Sequence, residues 1–406
     1  MPVPTLPSLR AAAALLFVSL VAGACGSTPP SQPAVVATSA PPSTSPTLPP
    51  PSATPTPTAT PLPTATPEPT PVTVPAPLTG LPVSPAAARR HPIAVMIDDL
   101  SPARPQSGFS AASIVWQAPA EGGIPRYMMV FGENQPTAVG PVRSSRYYYI
   151  AWAAEWKAIY AHAGGSPQAL ATLRAQGNGK LVYNADEFAR GGYFHRVSSR
   201  FPPHNLYTDG KQLDRLGKRL GAKTGDYQPI WQFAPDAPLE QRPVGGKISF
   251  RYPTSSIRYD YDRTSNTYLR TVSVEGKQKD AATKKRVAPK NVIVMLMRFG
   301  PLNDGHPNKH RLEAKVVGSG VAWISTNGKT IKGTWRKKSL TAPTKFYNAA
   351  GQEVTLTAGQ TFINVMPTGT AVKITRGAPP PAAAPSPGAT PAPSPSGVMP
   401  GLRLAV

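Results

Sequence analysis

Only one cysteine, Cys25, occurs in the 406 residues, so no disulfide can close within the chain. Acidic side chains are scarce: 20 Asp and Glu stand against 43 Lys and Arg, a formal net charge of +23. No apolar run is long enough for a stable membrane-spanning helix, which excludes a polytopic membrane protein. The folded region also lacks a serine-hydrolase elbow, a zinc-binding HExxH, a P-loop and a dinucleotide fingerprint, so no reaction announces itself through a motif. Proline, by contrast, is abundant, with 52 residues. Its densest tracts, residues 26–85 and 378–406, cannot bury enough apolar surface to offset chain entropy. The stretch left for folding is 86–377, long enough for two domains.

The N-terminus indicates a compartment. Arg10 precedes an apolar run from Ala11 to Val21, then Ala22-Gly23-Ala24 and Cys25, the layout of a secretory signal over residues 1–25. The small residues before Cys25 resemble the lipobox of bacterial lipoproteins, in which the cysteine is acylated; Ala22 departs from the Leu or Val usual there. An ordinary signal peptide cut near Ala24 is the alternative. Residues 26–85, with Thr-Pro alternation at Thr54-Pro55-Thr56-Pro57, read as an extended stalk, and 378–406 as a Pro/Ala-rich tail. The expected location is the outer face of the cytoplasmic membrane, with the lipid anchor at Cys25. Most of the surplus positive charge lies in residues 241–377 and seeks a polyanion. Outside the cytoplasm that means an anionic envelope polymer or lipid headgroups, and nucleic acid is not expected.

The pattern of residues predicts an α+β protein: an N-terminal α/β domain over 86–244, then a basic, mostly antiparallel β domain over 245–377. Pro92 to Ile97 reads as a buried strand ending at Asp98-Asp99. Ser113 to Gln117 and Arg126 to Phe131 read as two strands joined by a turn at Glu121-Gly122-Gly123. Apolar residues recur at helical spacing from Ser144 to Lys157. Ala158 to Ala163 is strand-like, and Ser166-Pro167 is a strong helix start after Gly164-Gly165. Beyond residue 245 come short strands, including Asn291 to Met297 and Thr361 to Val365, and a hairpin signal at Asn327-Gly328.

The segments RPQSGFS, EGGIPRYMMVF, VGPVRSSR, YAHAGGSPQ and FPPHNLY, with KNVIVM, GSGVAWI, NGKTIKGTW and FYNAAGQE, resemble the YerB-like bacterial lipoproteins over nearly all of residues 78–367. That family is described as an N-terminal and a C-terminal domain of unknown function, so the resemblance implies a compartment and no reaction. Where the family pattern has His-X-Asp, this chain has Gln278-Lys279-Asp280.

The candidate ligand-binding residues are Glu121, Arg126, Arg143, Arg146, His162, Gly164, Gly165, Ser166, His204 and Asn205, mostly at strand ends and turns, where side chains can converge on one cleft. Arg143 and Arg146 could grip an anion with their planar forks, or pair with Asp98, Asp99 or Glu121 as a structural network. The Gly164-Gly165-Ser166 turn could present backbone N–H groups to a small anionic ligand, or serve as a tight turn with a helix cap. His162 and His204 with Glu121 lack the spacing of a ligand set, so neither a metal nor a cofactor is expected. The basic runs Arg336-Lys337-Lys338 and Lys284-Lys285-Arg286 read as solvated turns or a docking patch. Two functions follow. One is a non-enzymatic binding protein for an anionic envelope ligand. The other is an enzyme acting on an envelope glycan or phosphodiester, with Glu121 or His162 as general acid or base.

Overall fold

In a computed structural model of the chain, residues 71–380 are described. The expected signal, Cys25, the stalk as far as residue 70 and the tail beyond residue 380 lie outside them. Strands outnumber helices, and the sheets are mixed and antiparallel, an α+β architecture.

One ten-stranded sheet runs through the molecule. In spatial order its strands are Lys345–Tyr347, Lys329–Lys337, Gly318–Thr326, Asn291–Met297, Thr361–Pro367, Ile114–Pro119, Pro125–Phe131, Ile93–Asp98, Ile159–His162 and Tyr183–Asp186. Thr361–Pro367 is the seam: it pairs parallel with Asn291–Met297 on one side and with Ile114–Pro119 on the other. The expected division at 244/245 therefore marks a change of sequence texture without separating two sheets, and the described residues fall in one compact unit. The C-terminal part is mostly antiparallel, as expected, with Asn291–Met297 and Thr361–Pro367 forming a parallel pair within it. Asn291–Met297 is almost wholly buried, an apolar run typical of a strand covered on both faces.

The stalk also ends earlier than composition suggests. Val74–Pro75 pairs with Pro82–Val83, Ala76 and Leu78 are buried, and the Thr79 hydroxyl donates to Glu133 at 2.6 Å. A few well-placed anchors outweigh the local proline content.

Each face of the large sheet is covered. On one lie helices Tyr147–Ala153 and Pro167–Gln176, with Trp152 stacked on Trp116 at 4.6 Å between centroids. On the other lies a five-stranded antiparallel sheet in the order Gly276–Lys277, Thr267–Val272, Ser255–Asp262, Lys247–Tyr252, Lys373–Thr375. Its strands alternate, Ile248, Phe250, Tyr252, Ile257 and Tyr259 pointing into a core shared with Val95, Tyr127, Val292 and Phe362. Helix Gly210–Arg219, capped by Asp209 on Gln212 N–H, buries Leu213 and Leu216 on this same side. The Asn327-Gly328 hairpin forms as expected, both residues having positive φ, which Asn and Gly tolerate best.

Candidate functional site

The parallel neighbours Ile93–Asp98, Ile159–His162 and Tyr183–Asp186 end together. In α/β sheets ligands bind beyond the carboxyl ends of such strands. The segment carrying the arginines is threaded into this edge by main-chain bonds: Asp98 N–H donates to Pro141, Arg143 N–H to Met96, and Ala163 N–H to Arg143. The helix after it starts at Tyr147, later than the Ser144 that periodicity suggests, because residues 142–145 are occupied with these extended pairings. Two tyrosines then pin the helix to the sheet. Tyr149 Oη donates to Arg126 C=O at 2.6 Å, and Tyr148 Oη donates to Pro119 C=O at 2.6 Å. Burial pushes the Tyr148 hydroxyl up to about 12, so it stays protonated as the donor this pin requires.

Two carboxylates organise the cluster. The buried Asp98 takes, on a single oxygen, His204 Nδ1 at 2.6 Å and Arg143 Nε at 2.9 Å. The histidine contact is a hydrogen bond. The arginine contact is an ion pair whose N–H is not aligned for one. Among the described residues, the terminal nitrogens of Arg143 and Nε2 of His204 have no hydrogen-bond partner, and both side chains keep some exposure, 20% and 15%.

The second carboxylate is Glu121, held by the 3₁₀ turn between Ile114–Pro119 and Pro125–Phe131. It pairs with Arg126 Nη2 at 3.1 Å and with Arg146 Nη2. These two arginines are further spent on main-chain carbonyls: Arg126 Nη1 donates to Ser144 at 2.7 Å and Arg146 Nη1 to Ser145. Burial lowers the pKa of all three arginines, against the pull of Asp98 on Arg126 and Arg143. Starting from an ordinary guanidinium value, they remain cations at neutral pH. Three guanidinium groups face two carboxylates, leaving one positive charge in surplus.

The other expected residues are built into the walls. His162 is fully buried, with Nδ1 2.8 Å from Gly164 O and Nε2 2.7 Å from Asn184 Oδ1, so neither ring nitrogen is open. Gly164 has φ +65, and its amide points at Asp186 Oδ1. Ser166 N–H donates to Ser145 C=O, while its hydroxyl caps Ala169 N–H at 3.3 Å. The turn through Gly165 is thus stitched to Ser145, and its geometry is that of a tight turn with a helix cap. Asn205 braces its own hairpin, accepting from Arg196 Nη1 at 2.9 Å. Among the described residues no three His, Cys, Asp or Glu side chains converge as a metal-binding group.

Sequence reasoning missed a deeper polar centre between the sheets. Arg270, with no exposure, donates from Nε to Tyr259 Oη at 2.8 Å, from Nη1 to Tyr127 Oη at 3.0 Å and to Gln278 Oε1, and from Nη2 to Gln117 Oε1 at 2.6 Å. Gln117 in turn donates to Asp99, which Arg104 also holds. Burial raises the Asp99 pKa, opposed by Arg104 and Arg270. Gln278 therefore serves as an acceptor for a buried guanidinium, and Asp280 receives Ser110 N–H at 2.7 Å, tying two loops together. The run at 336–338 is likewise not a solvated turn: Lys337 is buried and paired with Glu155 at 2.8 Å, and Arg336 lies over the Tyr347 ring. Alternation along the strand Lys329–Lys337 could have flagged Lys337, which shares the buried phase of Trp335.

The chain that folds into this α+β architecture matches two consecutive domains of unknown function. Residues 78–223 match the protein of unknown function (DUF3048) N-terminal domain and residues 248–363 its C-terminal domain. The chain belongs to this family. It is 30% identical over 306 residues to the Bacillus subtilis (strain 168) protein named "Putative lipoprotein YerB", covering 74% of this chain and 88% of that one. The crystal structure of the YerB protein from Bacillus subtilis superposes with a TM-score of 0.67 at 26% identity, covering 75% of this chain and all of that one.

Proposed function

We propose that this protein is a lipid-anchored extracytoplasmic protein that binds an anionic ligand of the cell envelope. The observation that carries the reading is the fork on Asp98. One carboxylate oxygen orients both Arg143 and His204 and leaves the donors of Arg143 and Nε2 of His204 for a ligand, beside a surplus positive charge. The guanidinium fork suits a phosphate or carboxylate oxyanion. Anchoring through Cys25 is supported by the apolar run before it and by the name of the Bacillus relative. Among the described residues no helix is long and apolar enough to cross a membrane.

Calorimetry with inorganic phosphate and pyrophosphate tests the site: binding that Arg143→Ala and His204→Ala both weaken supports it, and binding that neither variant changes sinks it. Detergent-phase partitioning tests the anchor. Cys25→Ser should move the protein to the aqueous phase, and unchanged partitioning would contradict acylation.

One observation favours acid–base chemistry as a second reading. His204 is held by a carboxylate through Nδ1 with Nε2 unoccupied, the arrangement of an oriented general base. Glu121 is committed to two arginines and His162 is closed off, so the proton-transfer role in this reading belongs to His204. Turnover of an envelope glycan or phosphodiester that His204→Ala abolishes would favour the enzyme.

A further inference from the structure

The outer face of the five-stranded sheet carries a row of side chains that cross-strand register places side by side. Lys373 pairs with Ser249, Ser249 with Arg258, Arg258 with Thr271, and Thr271 with Lys277. Cation and hydroxyl therefore alternate across all five strands. At about 4.8 Å between strands, the row spans roughly 19 Å with a cation about every 10 Å. Beside it lies a groove of about 470 Å³ whose lining includes Ser249, Arg251, Ser256, Arg258, Thr271 and Lys373. Arg258 shares part of its charge with Asp260, Nε to Oδ2 at 2.8 Å, yet stays half exposed. Across the outward positions of the sheet, Lys247, Arg251, Arg258, Lys277 and Lys373 outnumber Asp260 and Asp262.

We infer that this groove docks a linear phosphodiester-linked polyol polymer. Three features select that occupant. The cations match repeated negative charge. Between them, hydroxyls of Ser249, Ser256 and Thr271 can pair with polyol oxygens. Phe250 and Ile257 also line the groove but are buried, and at the outward strand positions no aromatic ring is offered for stacking and Leu269 is the one large apolar residue, so neither a single-stranded nucleic acid nor an inserting bilayer finds its usual contacts. A groove admits a chain, whereas a bilayer presents a plane. The inference shares with the proposed function an anionic envelope partner but uses a different surface, on residues distinct from Arg143 and His204.

The test measures binding of poly(glycerol phosphate) to the detergent-solubilised full chain over a range of salt. The triple variant Arg251→Gln, Arg258→Gln, Lys373→Gln is expected to lose at least tenfold in affinity and about two units of the log–log salt slope. A charge-matched control, Lys211→Gln, Arg215→Gln, Arg219→Gln on helix Gly210–Arg219, should lose less than threefold. If the groove triple fails to fold, Lys373→Gln alone, on the edge strand, carries the test with an expected threefold loss. Equal losses in the two triples, or no loss in the groove triple, overturns the proposal. So does equally tight, equally groove-dependent binding to phosphatidylglycerol vesicles or to polyuridylate. Inorganic phosphate binding unchanged in the groove triple, with polymer binding lost, separates this surface from the Asp98 site.

Discussion

Arg270 and Arg143 are both held near carboxylates, yet they are used in opposite ways. Arg270 lies between the two sheets with every nitrogen bonded, to Tyr259, Tyr127, Gln278 and Gln117, and three aromatic rings lie within 5.6 Å of its guanidinium carbon. Among the described residues Arg143, at the sheet edge, has one ion pair and its terminal nitrogens open. Full satisfaction makes a buried cation part of the scaffold, whereas partial satisfaction at an exposed edge leaves hydrogen-bonding capacity for a ligand. Arg126 and Arg146 fall between these limits, spent on Glu121 and on main-chain carbonyls.

The largest effect should come from Arg270→Met. It strands the Gln117 and Gln278 acceptors and weakens the compensation of Asp99, and should cost about 3–5 kcal/mol, the range for breaking a buried charge network. Urea denaturation measures it, and a loss under about 1 kcal/mol would mean that Arg270 is no more part of the scaffold than Arg143. Next comes Arg146→Ala. Its side chain is 5% exposed and Glu121 is 27% exposed, so the loss should be smaller, about 1–3 kcal/mol, seen as a lower melting temperature that phosphate does not restore.

Arg143→Ala should cost less than about 1 kcal/mol of stability, as for a partly exposed ion pair. Its ligand affinity should fall by about 1.5–3 kcal/mol, the range for hydrogen bonds to a charged group. The smallest effect concerns acid. Partial burial pushes the Asp236 pKa up, but hydrogen bonds from Lys290 and Asn266 outweigh it and hold the value below the usual range. A depressed carboxylate contributes stability that is present above the unfolded pKa, about 3.9, and is lost as pH falls through the folded value. Asp236→Asn should therefore lose less stability than the wild type as pH falls below about 4, read by acid titration of the fluorescence.

Much of this arrangement was legible in the residues. The strands at Pro92 to Ile97 and Asn291 to Met297, the cap at Ser166-Pro167 and the Asn327-Gly328 turn all carry local signals, and local signals were enough. The pairing of arginines with Asp98 and Glu121 was foreseen as one of two options because these residue types sit at strand ends. Three features left no such signal. The parallel seam at Thr361–Pro367 joins residues nearly 250 positions apart, and no local periodicity encodes a partner. The burial of Arg270 depends on two sheets meeting face to face. Which of the ten candidate residues stay open was decided by neighbours distant in sequence: Asn184 closes His162, while Asp98 holds His204 by one nitrogen only.

The most direct test of the central claim, that the Asp98 fork is a ligand site while the Glu121 cluster is scaffold, is a paired measurement on Arg143→Ala and Arg146→Ala: melting temperature and calorimetric phosphate binding for each. The account predicts that Arg143→Ala melts within a few degrees of the wild type and loses phosphate binding by tenfold or more, whereas Arg146→Ala melts clearly lower and, below its melting point, binds phosphate nearly as the wild type does. A large drop in melting temperature for Arg143→Ala with phosphate binding unchanged would contradict it.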